Sequence, residues 1–154
     1  MCSGLVDRRP GVAGRSQHLA TATGELAQAL GHSRWVPLGY SRKFWYDDAL
    51  SIAVKSITTP EAGKRIDLDP NQLILVRGKR ALIVDDAVSN GRTQVQTGDL
   101  LTWLNVEVLG SVVAMRQSGK WCPVLGEARA SRVRGVFNSP LLGWRGDGWW
   151  PTDS

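Results

Sequence analysis

One short segment, Ala81–Thr93, constrains the fold of this chain more than any other. Four apolar residues, Ala81 to Val84, run directly into Asp85 and Asp86, and a loop of small and polar residues follows. A continuous apolar run of this kind is typical of a strand that is covered on both faces in a parallel sheet. In such sheets ligands bind beyond the carboxyl ends of the strands. The segment therefore predicts an α/β fold with a binding site at this strand end.

The loop after the two acids carries groups that suit a phosphate. It offers backbone N–H groups, hydroxyl and amide side chains and the positive end of a following helix, and Gly91 lets the backbone close around an anion without a Cβ clash. Paired carboxylates accept hydrogen bonds from vicinal hydroxyls or hold a hydrated Mg²⁺. The two acids and the loop together can thus bind both the diol and the phosphate of a ribose 5-phosphate.

A purely structural explanation of the same residues is simpler. Asp85 and Asp86 would only end the strand, and Ser89 or Asn90 would cap the next helix. Capping accounts for Ser89 or Asn90, but it leaves two adjacent acids against an apolar strand, where an unsatisfied buried charge costs several kcal/mol. We therefore favour the binding interpretation.

The rest of the chain alternates between helical and strand patterns. Apolar residues at helical spacing predict a helix from Leu19 to Leu30, with Gly31 at its C-terminal cap, and a second helix from Thr93 to Leu104. This alternation predicts an α/β domain with a mostly parallel sheet flanked by helices. The predicted strands besides Ala81–Val84 are Trp35–Leu38, Ile52–Ile57, Val106–Met115 and Val133–Phe137.

The N-terminal stretch has no such pattern. From Met1 to about Gln17 there is no period, and Gly, Arg and Ser dominate. We expect residues 1–18 to be a flexible lead-in, with no strand before Leu19, and residues 19–154 to form one domain.

Composition and charge exclude several classes of protein. With 154 residues and 42% apolar side chains the chain can bury a core, and its scattered glycines and prolines exclude a collagen-like or coiled-coil rod. No apolar run reaches the roughly 18–20 residues of a membrane span, and the first thirty residues lack the layout of a secretory signal, so we expect a cytoplasmic protein without membrane contact. The net charge of +5 lies mainly before residue 44 and attracts any anion, so it does not by itself favour nucleic acid.

Few side chains suggest a metal centre or a disulfide. Cys2 and Cys122 have no metal-ligand spacing, and His18 and His32 have no spaced partner, so we expect the histidines at the surface. Three of the seven tryptophans lie near the C-terminus, and we expect them to pack on the domain or on a partner subunit. These three are Trp144, Trp149 and Trp150.

Ala81–Thr93 resembles the phosphoribosyl pyrophosphate signature of type I phosphoribosyltransferases, in which an apolar strand, two acids and two mostly apolar residues precede a loop of small, hydroxyl and glycine residues. The resemblance implies the α/β fold of that family, with a degenerate or shortened N-terminal element. It also implies that Asp85 and Asp86 contact the ribose hydroxyls. The segment that would bind the 5′-phosphate comprises Ala87, Val88, Ser89, Asn90, Gly91, Arg92 and Thr93, with Asn90 where the family usually has threonine.

Two upstream segments extend the resemblance. Arg42-Lys43 is similar to the Arg-Lys pair of the adenine phosphoribosyltransferase branch, which lies near the pyrophosphate and would offset its charge as it departs. Residues 56–65 fall where the family has its mobile catalytic loop, and Glu61 could act there as an acid toward a base nitrogen. The other candidate residues of that loop are Ser56, Thr58, Thr59, Lys64 and Arg65.

The resemblance implies a phosphoribosyltransferase. The enzyme would move ribose 5-phosphate from phosphoribosyl pyrophosphate to a nitrogenous base, a purine such as adenine, and release pyrophosphate. Mg²⁺ would be held mainly by the substrate, and the chain would form a homodimer, as relatives usually do. The catalytic residues would be Arg42, Lys43, Asp85 and Asp86.

Two other functions stay open. Because no pyrophosphate-binding loop is recognisable before Leu19, the chain could be a catalytically weak or inactive regulatory protein that binds phosphoribosyl pyrophosphate or a nucleotide. A receiver-like domain would also place an acid pair at a strand end, but it needs a third carboxylate and a lysine at later strand ends. Met115, Arg116 and Gln117 end the next predicted strand, which disfavours a receiver.

Overall fold

A computed structural model describes residues 11–15, 20–39, 51–54 and 64–152, which hold nine strands and five α-helices. None of the described helices is long and apolar enough to cross a bilayer. The strands are β1 (Gly11–Arg15), β2 (Val36–Gly39), β3 (Ser51–Val54), β4 (Lys64–Leu68), β5 (Arg80–Val88), β6 (Glu107–Gln117), β7 (Val133–Ser139), β8 (Leu141–Arg145) and β9 (Gly148–Thr152). The helices are α1 (Ala20–Ala29), α2 (Leu73–Val76), α3 (Arg92–Trp103), α4 (Trp121–Leu125) and α5 (Glu127–Ala130), and a 3₁₀ turn at Pro70–Gln72 precedes α2.

Seven of the strands form one sheet in the order β3-β4-β2-β1-β5-β6-β7. Five neighbouring strands of this sheet are parallel to one another: β2, β1, β5, β6 and β7. The strand β4 is antiparallel to its two neighbours, β2 and β3. The last two strands, β8 and β9, form an antiparallel hairpin in a sheet of their own. The predicted α/β fold with a mostly parallel sheet is confirmed.

Helices cover both faces of the sheet, and β5 shows how. Side chains alternate between the two faces along a strand. Ile83 packs in a buried cluster with Leu100 and Leu101 of α3, whereas Val84 packs with Ala27 of α1. Each fully buried aliphatic side chain of this kind contributes about 1.5–3 kcal/mol to the free energy of folding. The two faces of β5 are thus anchored independently, which fixes the position of the strand end.

The sequence predicts no strand before Leu19, and this prediction is wrong. Gly11–Arg15 forms β1, which lies between β2 and β5 and is parallel to both. The segment has few apolar residues, but strand propensity depends strongly on neighbours, and a central strand is hydrogen-bonded along both edges. Residues 11–15 therefore belong to the sheet and not to a flexible lead-in, while the rest of the predicted lead-in lies outside the described residues.

The expected surface position of His32 is also wrong, since the side chain is 5% exposed. Gly31, with a φ of 79°, ends α1 as predicted. The N–H groups of Gly31 and His32 donate to the carbonyls of Gln28 and Ala27, which is the pattern of a Schellman motif. The residue that follows the glycine in this motif commonly packs back onto the helix, which accounts for the burial of His32.

The C-terminal tryptophans lie in the β8–β9 hairpin. Trp144, Trp149 and Trp150 are each more than half exposed, so they do not pack on the described domain. That part of the expectation is wrong, and a contact with a partner subunit stays a prediction.

Candidate functional site

The predicted strand, loop and helix are present, and they enclose a pocket at the carboxyl end of β5. The strand continues to Val88, past the predicted end at Val84, so Asp85 and Asp86 lie within it, and α3 begins at Arg92. All the predicted site residues between Asp85 and Thr93 line the pocket, except Arg92, which is exposed. The pocket measures about 130 Å³ and is lined by Asp85, Asp86, Ala87, Val88, Ser89, Asn90, Gly91, Thr93 and Gln94.

Gly91 determines the shape of the turn before α3. Its φ of 74° and ψ of −14° are left-handed, a conformation that costs other residues about 1–2 kcal/mol. A Cβ atom added to Gly91 would lie 2.5 Å from Cδ1 of Leu125 and 3.0 Å from the carbonyl oxygen of Trp121. Both neighbours belong to α4, and their side chains are buried. The backbone conformation and the close approach of α4 therefore both require glycine here.

Asn90, which stands where the family usually has threonine, lies directly before Gly91, the N-cap residue of α3. Its Oδ1 accepts a hydrogen bond of 3.0 Å from the N–H of Arg92. This bond satisfies one of the donors that a helix N-terminus leaves without a partner inside the helix. Asn90 thus satisfies one donor at the start of α3, but the N-cap residue is Gly91 and not Ser89 or Asn90 as the capping explanation expects. The twelve residues of α3 also give its N-terminus a partial positive charge, which favours an anion at the pocket.

The two acids have different surroundings although they are adjacent. Asp85 is 3% exposed, and its Oδ2 accepts a hydrogen bond of 3.2 Å from Nε2 of Gln94 on α3. Asp86 is exposed, and its Oδ1 accepts a bond of 2.8 Å from the N–H of Ala87. The prediction treats the acids as an equivalent pair. In the structure one carboxylate is anchored by the protein and the other faces solvent.

A third carboxylate at the same edge of the sheet, Asp67, is not part of any predicted motif. Asp67 of β4 pairs with Gly39, the last residue of β2, and the register through β1 brings it to about the level of Asp86, three strands and roughly 14 Å away. Its side chain is buried, and neither carboxylate oxygen has a hydrogen-bond partner among the described residues. The signal in the sequence is an acid between two apolar strand residues, Ile66 and Leu68, which are both buried.

The other predicted site residues are only partly described. Lys64 and Arg65 belong to β4, where they pair with Val54 and Ala53 of β3, so they lie in a strand and not in the predicted loop. The segment between Val54 and Lys64 connects two antiparallel neighbours. The residues that lie outside the described part of the chain are Arg42, Lys43, Ser56, Thr58, Thr59 and Glu61.

A comparison with protein families identifies the domain. A family model described as phosphoribosyl transferase domain matches residues 20–133, which is more than half of the chain. The chain belongs to this phosphoribosyltransferase family. The resemblance of Ala81–Thr93 is therefore confirmed, and the protein is a phosphoribosyltransferase, an enzyme of the glycosyltransferase type. No curated protein matches the chain.

Solved structures similar to this phosphoribosyltransferase include adenine phosphoribosyltransferases. The enzyme of Rhodothermus marinus is 22% identical, with a TM-score of 0.65 over 82% of this chain and 68% of that one. The APRTase of Giardia lamblia, complexed with 9-deazaadenine, is 19% identical, with a TM-score of 0.64 over 83% and 68%. The enzyme of Thermoanaerobacter pseudethanolicus is 17% identical, with a TM-score of 0.63 over 82% and 68%. At these identities the likeness shows a shared fold.

The carboxylates of this phosphoribosyltransferase suit a magnesium ion that arrives with a phosphorylated substrate. Mg²⁺ in such sites usually keeps several waters and takes one or two carboxylates together with substrate phosphate oxygens. Asp86 offers exposed oxygens next to the pocket. In the part of the chain that the structure describes, no three His, Cys, Asp or Glu side chains form a metal cluster of their own. The residues present fit an ion held mainly by the substrate, for which Asp86 would be the protein contact.

Proposed function

We propose that this phosphoribosyltransferase transfers the phosphoribosyl group of phosphoribosyl pyrophosphate to a ring nitrogen of a purine, adenine first among them, and releases pyrophosphate. The observation that carries the proposal is the pocket at the β5–α3 junction, where an exposed carboxylate and a helix N-terminus meet within one short loop. The carboxylate suits sugar hydroxyls, and the helix N-terminus suits a phosphate. Sugar hydroxyls and a phosphate occur together in a 5-phosphorylated ribose.

The reaction replaces one bond at the anomeric carbon with another. The bond from C1′ to a pyrophosphate oxygen breaks, and its electron pair leaves with the pyrophosphate. A base nitrogen donates the pair that forms the new C1′–N bond, and the base loses its N–H proton, which the released pyrophosphate takes up. Positive charge develops on the ribose in the transition state, as it does in glycoside hydrolysis. The carboxylate of Asp86 stabilises that charge because it lies beside the sugar.

The leaving pyrophosphate requires positive charge. Mg²⁺, when bound, neutralises charge on the pyrophosphate oxygens and so makes them a better leaving group. Arg42 and Lys43 add two cations to the same region, as the resemblance implies. In the family a mobile loop excludes water, which would otherwise hydrolyse the donor, and the resemblance assigns that role to Ser56, Thr58, Thr59 and Glu61.

Asp67 is our candidate for recognising the base. An unpartnered buried polar group costs about 1–3 kcal/mol, so such groups are uncommon without a functional reason. A carboxylate accepts hydrogen bonds, and its natural ligand is an N–H group. Adenine offers a ring N–H and an exocyclic amine, and the adenine phosphoribosyltransferase structures with the same fold support the same class of base.

The test is product formation by the whole chain. Phosphoribosyl pyrophosphate and Mg²⁺ are supplied with adenine, guanine, hypoxanthine or orotate in turn, and nucleotides are separated by chromatography. We expect adenosine monophosphate as the main product. A nucleotide formed only from another base would overturn adenine as the acceptor and leave the transfer reaction intact.

A regulatory protein that binds the donor without using it would behave differently. Both the enzyme and the regulator should show a higher melting temperature with phosphoribosyl pyrophosphate and Mg²⁺, because the ligand binds only the folded state. The enzyme alone exchanges labelled pyrophosphate into the donor when base is present. A shift without exchange would favour the regulator, and no shift would contradict both functions.

A further inference from the structure

A buried chain of hydrogen bonds runs from the pocket into the protein through three elements. Oγ of Ser111 on β6 donates to Oε1 of Gln94 on α3 at 2.7 Å, and Nε2 of Gln94 donates to Oδ2 of Asp85 on β5 at 3.2 Å. All three side chains are less than a tenth exposed. The other carboxylate oxygen of Asp85 accepts a bond of 3.2 Å from the N–H of Asp86. Both oxygens of Asp85 are thus held by named donors.

The direction of this chain follows from the chemistry of its members. A glutamine amide has one accepting end and one donating end, and a serine hydroxyl can supply the donor for the accepting end. Once Ser111 donates to Oε1, the Nε2 end of Gln94 is turned toward Asp85. Buried polar networks that are satisfied in this way hold their members in one arrangement.

A cavity behind Gln94 makes the bond from Ser111 important. The cavity measures about 180 Å³, and Gln94 and Ser111 both line it, together with Gly98 and Thr102 of α3. The Gln94 amide therefore has room to turn away from Asp85. The hydrogen bond from Ser111 opposes that rotation and keeps the amide on the carboxylate.

We propose that Gln94 and Ser111 are positioning residues that hold the Asp85 carboxylate in the orientation in which it lines the pocket and accepts hydrogen bonds from the ribose hydroxyls. The proposal rests on the proposed function, because it concerns how that site recognises its sugar. It assigns Gln94 and Ser111 no contact with the substrate. It also gives the two adjacent acids different roles. Asp85 orients the two ribose hydroxyls, and Asp86 stabilises the positive charge that develops on the ribose in the transition state.

The test compares two phosphates that differ only in the sugar hydroxyls. Ribose 5-phosphate carries them, and tetrahydrofurfuryl phosphate keeps the ring and the phosphate without any hydroxyl. Calorimetric titration of the full chain without base or metal gives both affinities. Gln94→Met keeps the side-chain length and removes the amide. We expect it to weaken the binding of ribose 5-phosphate about tenfold and to leave the affinity for tetrahydrofurfuryl phosphate unchanged. In turnover, the KM for phosphoribosyl pyrophosphate should rise while the KM for the base stays constant.

Three further variants separate positioning from folding. Ser111→Ala leaves Gln94 in place and should give a smaller loss of the same selectivity, whereas Ser111→Thr keeps a hydroxyl and should restore it. Gln28→Met makes the same chemical change at an exposed site on α1 and should have no effect. Melting temperatures identify any variant that fails to fold, and Ser111→Ala then carries the test.

The outcomes distinguish this proposal from the one on which it rests. If the unmodified chain binds ribose 5-phosphate no better than tetrahydrofurfuryl phosphate, the pocket does not read the diol, and both proposals fail. If the unmodified chain prefers ribose 5-phosphate and folded Gln94→Met and Ser111→Ala keep the full preference, the positioning role is overturned and the proposed function stands.

Discussion

The β5–α3 junction and the β8–β9 hairpin are built in opposite ways. At the junction, a left-handed glycine is pressed by α4, and Asp85 is anchored from α3. In the hairpin, the two strands pair with no other described strand, and the tryptophans are mostly exposed. A change at the junction therefore has to disturb neighbours that also shape the pocket, whereas a change in the hairpin stays local. Substitutions at the junction should therefore have larger effects on stability or activity than substitutions in the hairpin.

Gly91→Ala, which adds one methyl group at the junction, should cause the largest loss of stability and of donor binding. The substitution adds left-handed strain to a contact with Leu125 that leaves no room for the new atom, so we expect a loss of about 2–4 kcal/mol in the free energy of unfolding. Binding of phosphoribosyl pyrophosphate should fall below detection because the turn cannot keep its shape. Urea denaturation and calorimetric titration measure the two effects.

Two other glycines provide matched controls for Gly91→Ala. Gly78 has a similar φ of 71° but open space around it, so Gly78→Ala should cost about 1–2 kcal/mol from backbone strain alone. Gly119 also has open space and no left-handed backbone, so Gly119→Ala should change stability by less than about 0.5 kcal/mol. Equal losses for the variants at positions 78 and 91 would show that α4 does not confine the turn.

Asp86→Asn should separate activity from stability. Because Asp86 is exposed, the melting temperature should not change, whereas kcat/KM should fall about 100-fold through loss of charge stabilisation in the transition state. Asp147→Asn makes the same change at an exposed acid in the hairpin turn and should leave kcat/KM unaltered. Equal activity of the two variants would remove Asp86 from the site.

Asp67→Asn should have a smaller effect, and it should change only the KM for the base. The substitution keeps the shape of the buried side chain and replaces one accepting oxygen with a donor, so we expect the KM for the base to rise about tenfold. The KM for phosphoribosyl pyrophosphate should stay constant. Steady-state kinetics with each substrate varied in turn measures both values. A rise in the donor KM alone would place Asp67 at the pyrophosphate and not at the base.

The sequence predicts the junction well because its structure is determined locally. An uninterrupted apolar run indicates a strand covered on both faces, and a glycine among small polar residues indicates a tight turn before a helix. The α3 start at Arg92, the left-handed Gly91 and the buried Ile83 all agree with that pattern. These features need no knowledge of distant residues.

Features that depend on distant partners could not be predicted in the same way. Gly11–Arg15 is a strand because β2 and β5 flank it, and its own residues carry little strand propensity. Gln94 and Ser111 are seventeen residues apart and meet only when α3 packs on β6. Asp67 becomes a site candidate only through the sheet register that places it level with Asp86. No motif marks these positions, and the one local signal is the acid between the apolar residues Ile66 and Leu68.

Trp149→Ala, in the β8–β9 hairpin, should have a smaller effect on activity than any of the substitutions at the candidate site. The rings of Trp144 and Trp149 meet edge to face with centroids 5.7 Å apart, an arrangement worth about 0.5–1.5 kcal/mol. We expect a stability loss at the lower end of that range, because both rings are exposed, and kcat/KM within twofold of the unmodified chain. Trp103→Ala, at a similarly exposed tryptophan of α3, is the matched control.

Light scattering on the same two variants tests whether the hairpin is as independent as its contacts indicate. If the chain is the predicted homodimer and the hairpin tryptophans contact the partner subunit, Trp149→Ala should lower the measured mass toward that of one chain, and Trp103→Ala should not. A loss of activity that accompanies such dissociation would mean that the junction depends on the hairpin through the partner, and the contrast between the two regions would then hold only within a single chain.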